Sequence, residues 1–214
     1  MRKLNLTLIF SLLLSFVTKA QDIEEVDSIL NISSEKFYNK EIRVYRLQSL
    51  TQNHILYRIY LNHESNWKIE RYNLHEKIED IIYLNDNSVL NDSLEYINYK
   101  TSEFSKYNIT PTENFNHKWL ELLATNILEI PSFSEYEYKL GKNVIGELNG
   151  KLQIFREITV SSNDGEFYFF KIINDKQNNE FYIHEPKYYI KQFPEVDELN
   201  YLSKFMTLLE NIYK

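Results

Sequence analysis

Alternating apolar and polar residues in the first half of the chain predict β-strands over residues 41–49, 54–62 and 67–74. In the second of these segments every second residue is apolar, which gives the strand one face to bury. The sequence His-Glu-Ser-Asn between the second and third segments predicts a hairpin loop. Residues 77–85 and 93–100 are further strand candidates, and either segment also fits a helix.

Helical spacing of apolar residues predicts a short helix over residues 22–30 and a longer, central helix over residues 112–128. In the longer segment Trp119 belongs to an apolar stripe. We expect Thr112 to cap the N terminus of this helix and Pro131 to prevent its continuation.

Two prolines mark the helices at the C-terminal end of the chain. Pro186 opens a short helical turn, and Pro194 opens the last predicted helix. The acidic residues that follow Pro194 suit a helix N terminus, where the helix dipole favours negative charge. The apolar stripe of the last helix consists of Val196, Leu199, Leu202, Phe205, Met206, Leu209 and Ile212.

Between the central helix and these C-terminal helices, the pattern predicts antiparallel strands in meander order. Residues 134–140 alternate polar and apolar side chains, which favours a strand, and Gly141-Lys142 then fits a two-residue turn. Asn149-Gly150 is a strong hairpin signal, and Asp164-Gly165 predicts another turn. The strand over residues 166–174 is apolar on both faces, so we expect it to lie inside the sheet.

The order strands, helix, strands, helix predicts an α+β fold, with antiparallel sheets in meander order, a central helix and a C-terminal covering helix. The 214 residues include only four glycines and four prolines, and no linker rich in these residues interrupts the chain. We therefore predict a single α+β domain over residues 21–214.

Residues 1–20 have the three-part layout of a secretory signal peptide. Arg2 and Lys3 form a positive start, a mostly apolar run follows, and Ala20 supplies the small residue at the expected cleavage site. The run is shorter than the roughly 20 residues of a membrane span, and it is apolar all round rather than striped like an amphipathic helix. Because Gln21 follows the cleavage site and the chain has no cysteine, we expect an exported protein, periplasmic or secreted, without a lipid or membrane anchor.

The charge of the chain limits its partners. There are 24 basic and 31 acidic residues, a net charge of −7; removing the signal peptide leaves 21 basic residues and a charge of −10. Nucleic acids and anionic lipids reward clustered lysine and arginine, so this balance argues against both as partners. The lack of cysteine excludes disulfides, zinc–thiolate sites and cysteine nucleophiles.

No sequence motif identifies catalytic chemistry. Nucleotide-binding glycine patterns and the G-x-S-x-G nucleophile turn are missing from the sequence. The five histidines form neither an H-E-x-x-H motif nor a short H-x-H pair. We expect His63 and His75 to lie on loops or strand edges and His117 on a helix surface. The sequence thus assigns no catalytic, cofactor-binding or metal-binding residue and implies no cofactor.

A set of structural residues resembles a known group of proteins. The set comprises Trp119, the segment 125–131, Asp164-Gly165, Tyr168 and the segment 185–199. In their spacing these residues resemble small exported α+β proteins of Bacteroidetes-type bacteria that have no assigned function. The resemblance implies a shared α+β fold and export, and it implies no activity or site residues.

Nine aromatic residues within positions 167–193 form the best candidate partner surface. Tyr182 and His184 share one face of a predicted strand, and Tyr188 and Tyr189 follow it closely. Tyrosine suits an interface because it combines a flat apolar ring with a polar tip. The alternative is that the aromatic run forms the strand core and its covering helix.

The sequence therefore favours an exported, soluble, non-enzymatic binding module that recognises a protein or a cell-surface component. An immunity-type inhibitor of a basic toxin is one version of this hypothesis. The alternative function is a periplasmic or secreted hydrolase with an unrecognised carboxylate or histidine site. A third hypothesis is a passive envelope protein.

Overall fold

The computed structural model describes residues 23–32, 37–48, 53–82, 96–158 and 165–214. The predicted signal peptide and Asp164 lie outside these ranges.

The chain divides into two compact units. The first comprises Met1–Phe37 with Leu74–Phe104, and the second comprises Tyr38–Asn73 with Ser105–Lys214. In the first unit residues 23–29 form helix α1. Ile23 and Val26 of this helix, and Leu30 directly after it, are buried, which confirms the predicted short helix. The single domain over residues 21–214 stays a prediction.

Eight β-strands lie within the described residues. They are β1 (Lys40–Gln48), β2 (Asn53–Leu61), β3 (Trp67–Ile82), β4 (Tyr96–Ile109), β5 (Gly141–Leu148), β6 (Lys151–Ile158), β7 (Glu166–Asn174) and β8 (Gln177–His184). Six of them form an antiparallel sheet in the order β4-β3-β2-β1-β7-β8. The fold is α+β, as predicted, and residues 77–82 extend β3 rather than forming a helix or a separate strand.

One face of the sheet carries the main core. The register pairs Ile42 with Ile59 and with Ile172, so apolar residues of three strands share this face. Buried residues of the helices belong to the same hydrophobic cluster, including Trp119, Leu202 and Phe205. As predicted, β7 is an inner strand and lies between β1 and β8. Strand β8 is at the sheet edge.

The central helix is shorter than predicted. Helix α2 spans Phe115–Leu123, not residues 112–128, so Thr112 is not its cap. Asn126 has a left-handed backbone with φ of 63°, which ends the helical path before a 3-10 turn at Ile127–Glu129.

The prediction of a strand over residues 134–140 is wrong. Helix α3 (Phe133–Tyr136) and a 3-10 turn (Glu137–Lys139) occupy this segment. The Glu135 carboxylate accepts hydrogen bonds from the Ser132 N–H at 3.2 Å and from its hydroxyl at 2.7 Å. The Glu135 N–H in turn donates to the Ser132 carbonyl oxygen at 2.9 Å, and together these bonds stabilise a helical start that alternation does not reveal.

The six-stranded sheet is in meander order, as predicted, but β5 and β6 form a separate two-stranded sheet, so the strands after α2 do not all belong to one meander. Gly141 and Lys142 begin β5 and do not form the expected turn. The Asn149-Gly150 hairpin is confirmed: both residues have positive φ, 53° and 74°, as a tight primed turn requires.

Two helices follow β8. Helix α4 spans Pro186–Gln192, as predicted, after Glu185 in a left-handed conformation. Helix α5 spans Asp197–Ile212 and begins three residues later than Pro194. Its buried residues confirm most of the predicted stripe: Leu199, Leu202, Phe205, Met206 and Leu209.

Candidate functional site

The structure separates the four residues of the predicted partner surface. Tyr182 and His184 lie on β8 and are half-buried, with side chains on the face opposite to Phe181 and Ile183. The ring of Tyr182 stacks on Phe167 with 5.6 Å between ring centroids. Burial, with a smaller effect from the Glu137 charge, raises the pKa of the Tyr182 hydroxyl.

The two tyrosines of α4 pack with the main core instead. Tyr189 is 6% exposed, and its ring contacts Phe133 and Phe193 at centroid distances of 5.5 and 6.5 Å. Tyr188 is half-buried and meets Tyr189 edge to face at 5.5 Å. Tyr189 therefore offers very little accessible surface, whereas part of Tyr188 remains open.

Among the described residues, the most exposed large apolar side chains lie on the β5–β6 hairpin, which sequence reasoning did not select. Ile145 pairs with Ile154, and Leu152 pairs with Glu147 on the same face. Ile145, Leu152 and Ile154 are 76%, 77% and 74% exposed. We call these three residues the ribbon face. The sequence signal for this surface is a hairpin whose strands alternate apolar and polar residues. No apolar segment of the chain is predicted to cover that hairpin.

The opposite face of the hairpin is better covered by its own side chains. Phe155 is half-buried, and its ring lies where a Cβ on Gly146 would meet it at 3.0 Å. Gly146 thus permits the aromatic ring to pack on the backbone of the neighbouring strand. The hairpin therefore has one face with internal packing and one, the ribbon face, without it.

A polar cluster lies on the sheet face opposite the main core. Glu41 Oε1 accepts hydrogen bonds from the Nε atoms of Arg43 and Arg58, each at 2.8 Å. Glu70 accepts from Tyr72 at 2.7 Å and from Lys106 Nζ at 2.6 Å. Glu41 is thus held by two arginines, and Glu70 by cations and tyrosine hydroxyl groups, which is typical of a structural ion-pair network.

The charges of this cluster do not suit acid catalysis. Burial alone would raise the pKa of Glu70, but Lys106, Tyr72 and Arg58 outweigh burial and hold the pKa below its usual range. A general acid needs a raised carboxyl pKa so that it keeps its proton near neutral pH. Glu70 is therefore a poor proton donor.

The five histidines lie on several elements of the fold. His63 is exposed on a loop and His117 on α2, as predicted, whereas the exposed His75 lies within β3, an inner strand, and not on a loop or a strand edge. Among the described residues no group of three or more histidine, aspartate or glutamate side chains is placed to hold a metal ion. Within the same residues, no helix has the length and apolar character of a membrane span.

Comparison with protein-family models, with curated proteins and with solved structures found no match to this chain.

Proposed function

We propose that this chain is a non-enzymatic binding module that recognises a basic partner protein through the ribbon face. The observation that carries the proposal is the exposure of Ile145, Leu152 and Ile154 on one side of a two-stranded sheet. Burial of each such side chain contributes roughly 1.5–3 kcal/mol. A contact that covers all three therefore supplies a substantial share of a binding free energy.

The hairpin also has a structural reason to take a partner. A two-stranded sheet is marginally stable by itself in water, and a third strand or a covering apolar surface stabilises it. Exposed apolar residues in a cluster, rather than scattered singly, are typical of interaction sites. A partner surface with its own apolar residues would stabilise the hairpin and cover its exposed apolar side chains.

The overall charge favours a basic partner over a second copy of this chain. Two copies, each with a net charge of −7, repel one another, whereas a basic protein is attracted and steered toward the complex. The hairpin itself carries charges of both signs, including Lys142, Glu147 and Lys151. Glu147 lies on the ribbon face beside Leu152, whereas Lys142 and Lys151 lie on the other face of the hairpin, so the charge next to the apolar contact is negative, which suits a basic partner.

Export belongs to this proposal. The predicted signal peptide would bring the chain to the periplasm or the medium, as the resemblance to exported Bacteroidetes-type proteins also implies. N-terminal sequencing of exported material should then begin at Gln21. An intact Met1 on the folded exported product would contradict this part of the proposal.

The hydrolase hypothesis lacks a comparable observation. Glu41 and Glu70, which are buried carboxylates of the sheet, are both engaged by cations. Because the pKa of Glu70 is lowered, its side chain is a carboxylate anion with a structural role rather than a proton donor.

Site-specific photocrosslinking in the producing cells tests the binding proposal. A photoreactive phenylalanine analogue replaces Ile145 in one variant and Gln153 in a matched variant. Gln153 pairs with Gly146, so it is on the same strand as Ile154 but on the other face. We expect an adduct with a basic protein from position 145 and little or none from position 153. An adduct with a second copy of this chain or with an acidic protein would overturn the proposal, and so would the absence of any adduct.

The captured protein is then purified for a direct measurement. Ile145→Asp and Ile154→Asp should each weaken its binding at least tenfold in calorimetry, since a carboxylate would have to be desolvated in the contact. Gln153→Asp adds the same charge and should change the affinity less than about threefold. Equal losses in all three variants would show a charge effect and contradict the ribbon face as the interface.

A further inference from the structure

A small cavity lies within the second unit, between the sheet and helices α4 and α5. Its volume is about 250 Å³. Its apolar lining comes from Val44 on β1 and from Met206 and Leu209 on α5. The rings of Tyr57 and Tyr168 complete this lining. The cavity therefore offers an apolar and aromatic surface that reaches the edge of the main core.

Cationic side chains line the same cavity. They are contributed by four separate parts of the chain: Arg46, Arg71, Lys187 and Lys214. Glu210 is the acidic residue among the described lining residues. Because the chain as a whole has a charge of −7, this concentration of positive charge runs against its overall balance.

Arg46 is held in place but keeps one donor unused. Its Nη2 atom pairs with Glu166, and the Tyr168 hydroxyl donates to the other oxygen of Glu166 at 3.0 Å. The Arg46 Nε atom is buried and has no hydrogen-bond acceptor among the described residues. A buried donor without an acceptor costs free energy, which an oxygen atom of a ligand would recover.

Arg71 and Lys187 are also available to a ligand. Arg71 donates from Nε to Asn73 at 2.9 Å, and its guanidinium lies 5.8 Å from the centre of the Tyr57 ring. Lys187 Nζ is 3.6 Å from Glu210 Oε1, and the two side chains are 61% and 55% exposed. An exposed pair of this kind is weak, so Lys187 can turn toward a bound anion at little cost.

We propose that this cavity binds a small organic anion, with its acidic group among Arg46, Arg71 and Lys187 and its apolar body against Tyr57 and Leu209. Arginine suits a carboxylate because its planar guanidinium can donate two parallel hydrogen bonds. Burial raises the pKa of Tyr168 to about 12, so its hydroxyl stays neutral and does not repel the ligand.

The size of the cavity limits the ligand. Sites for drug-sized molecules measure roughly 300–1,000 Å³, and this cavity is smaller. A single aromatic or branched aliphatic group with one acidic end fits this description. The proposal is independent of the ribbon face, because no residue of β5 or β6 is among the described lining residues.

Calorimetry with three probes tests the charge and the apolar body separately. 3-Phenylpropionate carries both features, 3-phenylpropan-1-ol replaces the carboxylate with a neutral hydroxyl, and inorganic phosphate lacks the apolar body. We expect 3-phenylpropionate to bind at least tenfold more tightly than either of the other probes. Equal binding of the alcohol would overturn the anion site, and equal binding of phosphate would overturn the apolar part. Failure of 3-phenylpropionate to bind would overturn the whole proposal.

Matched variants locate the binding. Arg71→Gln and Lys187→Gln should each weaken 3-phenylpropionate binding at least fivefold. Lys68→Gln on β3 and Lys191→Gln on α4 remove the same charge outside the cavity lining and should change the affinity less than twofold.

Thermal melting of every variant accompanies these titrations. Lys187 is largely exposed, so Lys187→Gln should keep the parent melting temperature and carries the test if Arg71→Gln unfolds early. Equal losses for Lys187→Gln and Lys191→Gln would show a general charge effect and overturn the assignment.

Discussion

Arg58 donates from Nε to Glu41 Oε1 at 2.8 Å, and the two side chains are 12% and 0% exposed. The same carboxylate accepts from Arg43 and, through its other oxygen, from the backbone N–H of Tyr38 at 2.8 Å. Glu41 thus joins β1, β2 and the segment before β1. This arrangement stabilises the charge of Arg58. Burial by itself would lower the pKa of the Arg58 guanidinium group, but Glu41 and Glu70 outweigh burial and raise that pKa.

Replacement of Glu41 should therefore be costly. Glu41→Gln keeps the shape of the side chain but removes the negative charge that two buried arginines face. We expect a loss of about 3–5 kcal/mol in the free energy of unfolding, measured by urea denaturation. Glu64→Gln in the exposed loop is the control and should stay within about 0.5 kcal/mol of the parent. A loss below about 1 kcal/mol for Glu41→Gln would contradict the role of this ion pair.

Glu70 should make the fold sensitive to acid. Its folded-state pKa is lower than the value of about 4.3 for an unfolded chain. Its stabilising effect is therefore full above about pH 4.3 and is lost as the pH falls through the lower folded-state pKa. Glu70→Gln should melt earlier than the parent at pH 7 and lose less stability between pH 5 and pH 2. Parallel melting curves across that range would exclude this contribution.

The Asn149-Gly150 turn should tolerate only residues that accept a left-handed backbone. Gly150 has a φ of 74°, which a β-branched residue resists. Gly150→Val should destabilise the hairpin by more than about 1 kcal/mol. Gly150→Asn is the control because asparagine accepts this conformation more readily. Hydrogen exchange of the β5 and β6 amides reports the effect, and equal protection in both variants would argue against a strained turn.

Gly165 should be required by the carboxylate of Glu185. A Cβ on Gly165 would overlap that carboxylate, which accepts the backbone N–H of Glu166 at 2.7 Å. Gly165→Ala should cost about 1–3 kcal/mol in the parent, since overpacking displaces the hydrogen-bonded side chain. In a Glu185→Ala background the same substitution should cost much less. Additive losses within about 0.5 kcal/mol in this double-mutant cycle would mean that the two residues do not interact.

Local signals explain which parts of the fold the sequence predicted. Asn149-Gly150 requires positive φ at two adjacent positions, so its sequence and its structure agree directly. The stripe from Leu199 to Leu209 also agrees, because one helical face must meet the core. The failure at residues 134–140 has a local cause as well, since the cap between Ser132 and Glu135 outweighs the alternation that follows.

The two candidate sites depend on distant parts of the chain, which limits prediction from sequence. The cavity joins Arg46, Arg71 and Lys187 from β1, β3 and α4, and no spacing in the sequence links these residues. The ribbon face depends on the separation of β5 and β6 from the larger sheet. Apolar alternation predicts a buried face, and nothing local to Ile145 or Ile154 distinguishes a buried face from an exposed one.

The position of β1 determines the order in which the molecule can assemble. β1 lies between β2 and β7, and residue 41 pairs with residue 60 on one side and with residue 173 on the other. During synthesis β1 can pair with β2 early, but its other edge stays open until β7 has been made. Closure of a loop of this length is entropically costly and slows folding. The nascent chain therefore passes through an interval in which its central strand has an exposed edge. Protection by a chaperone matters most during this interval.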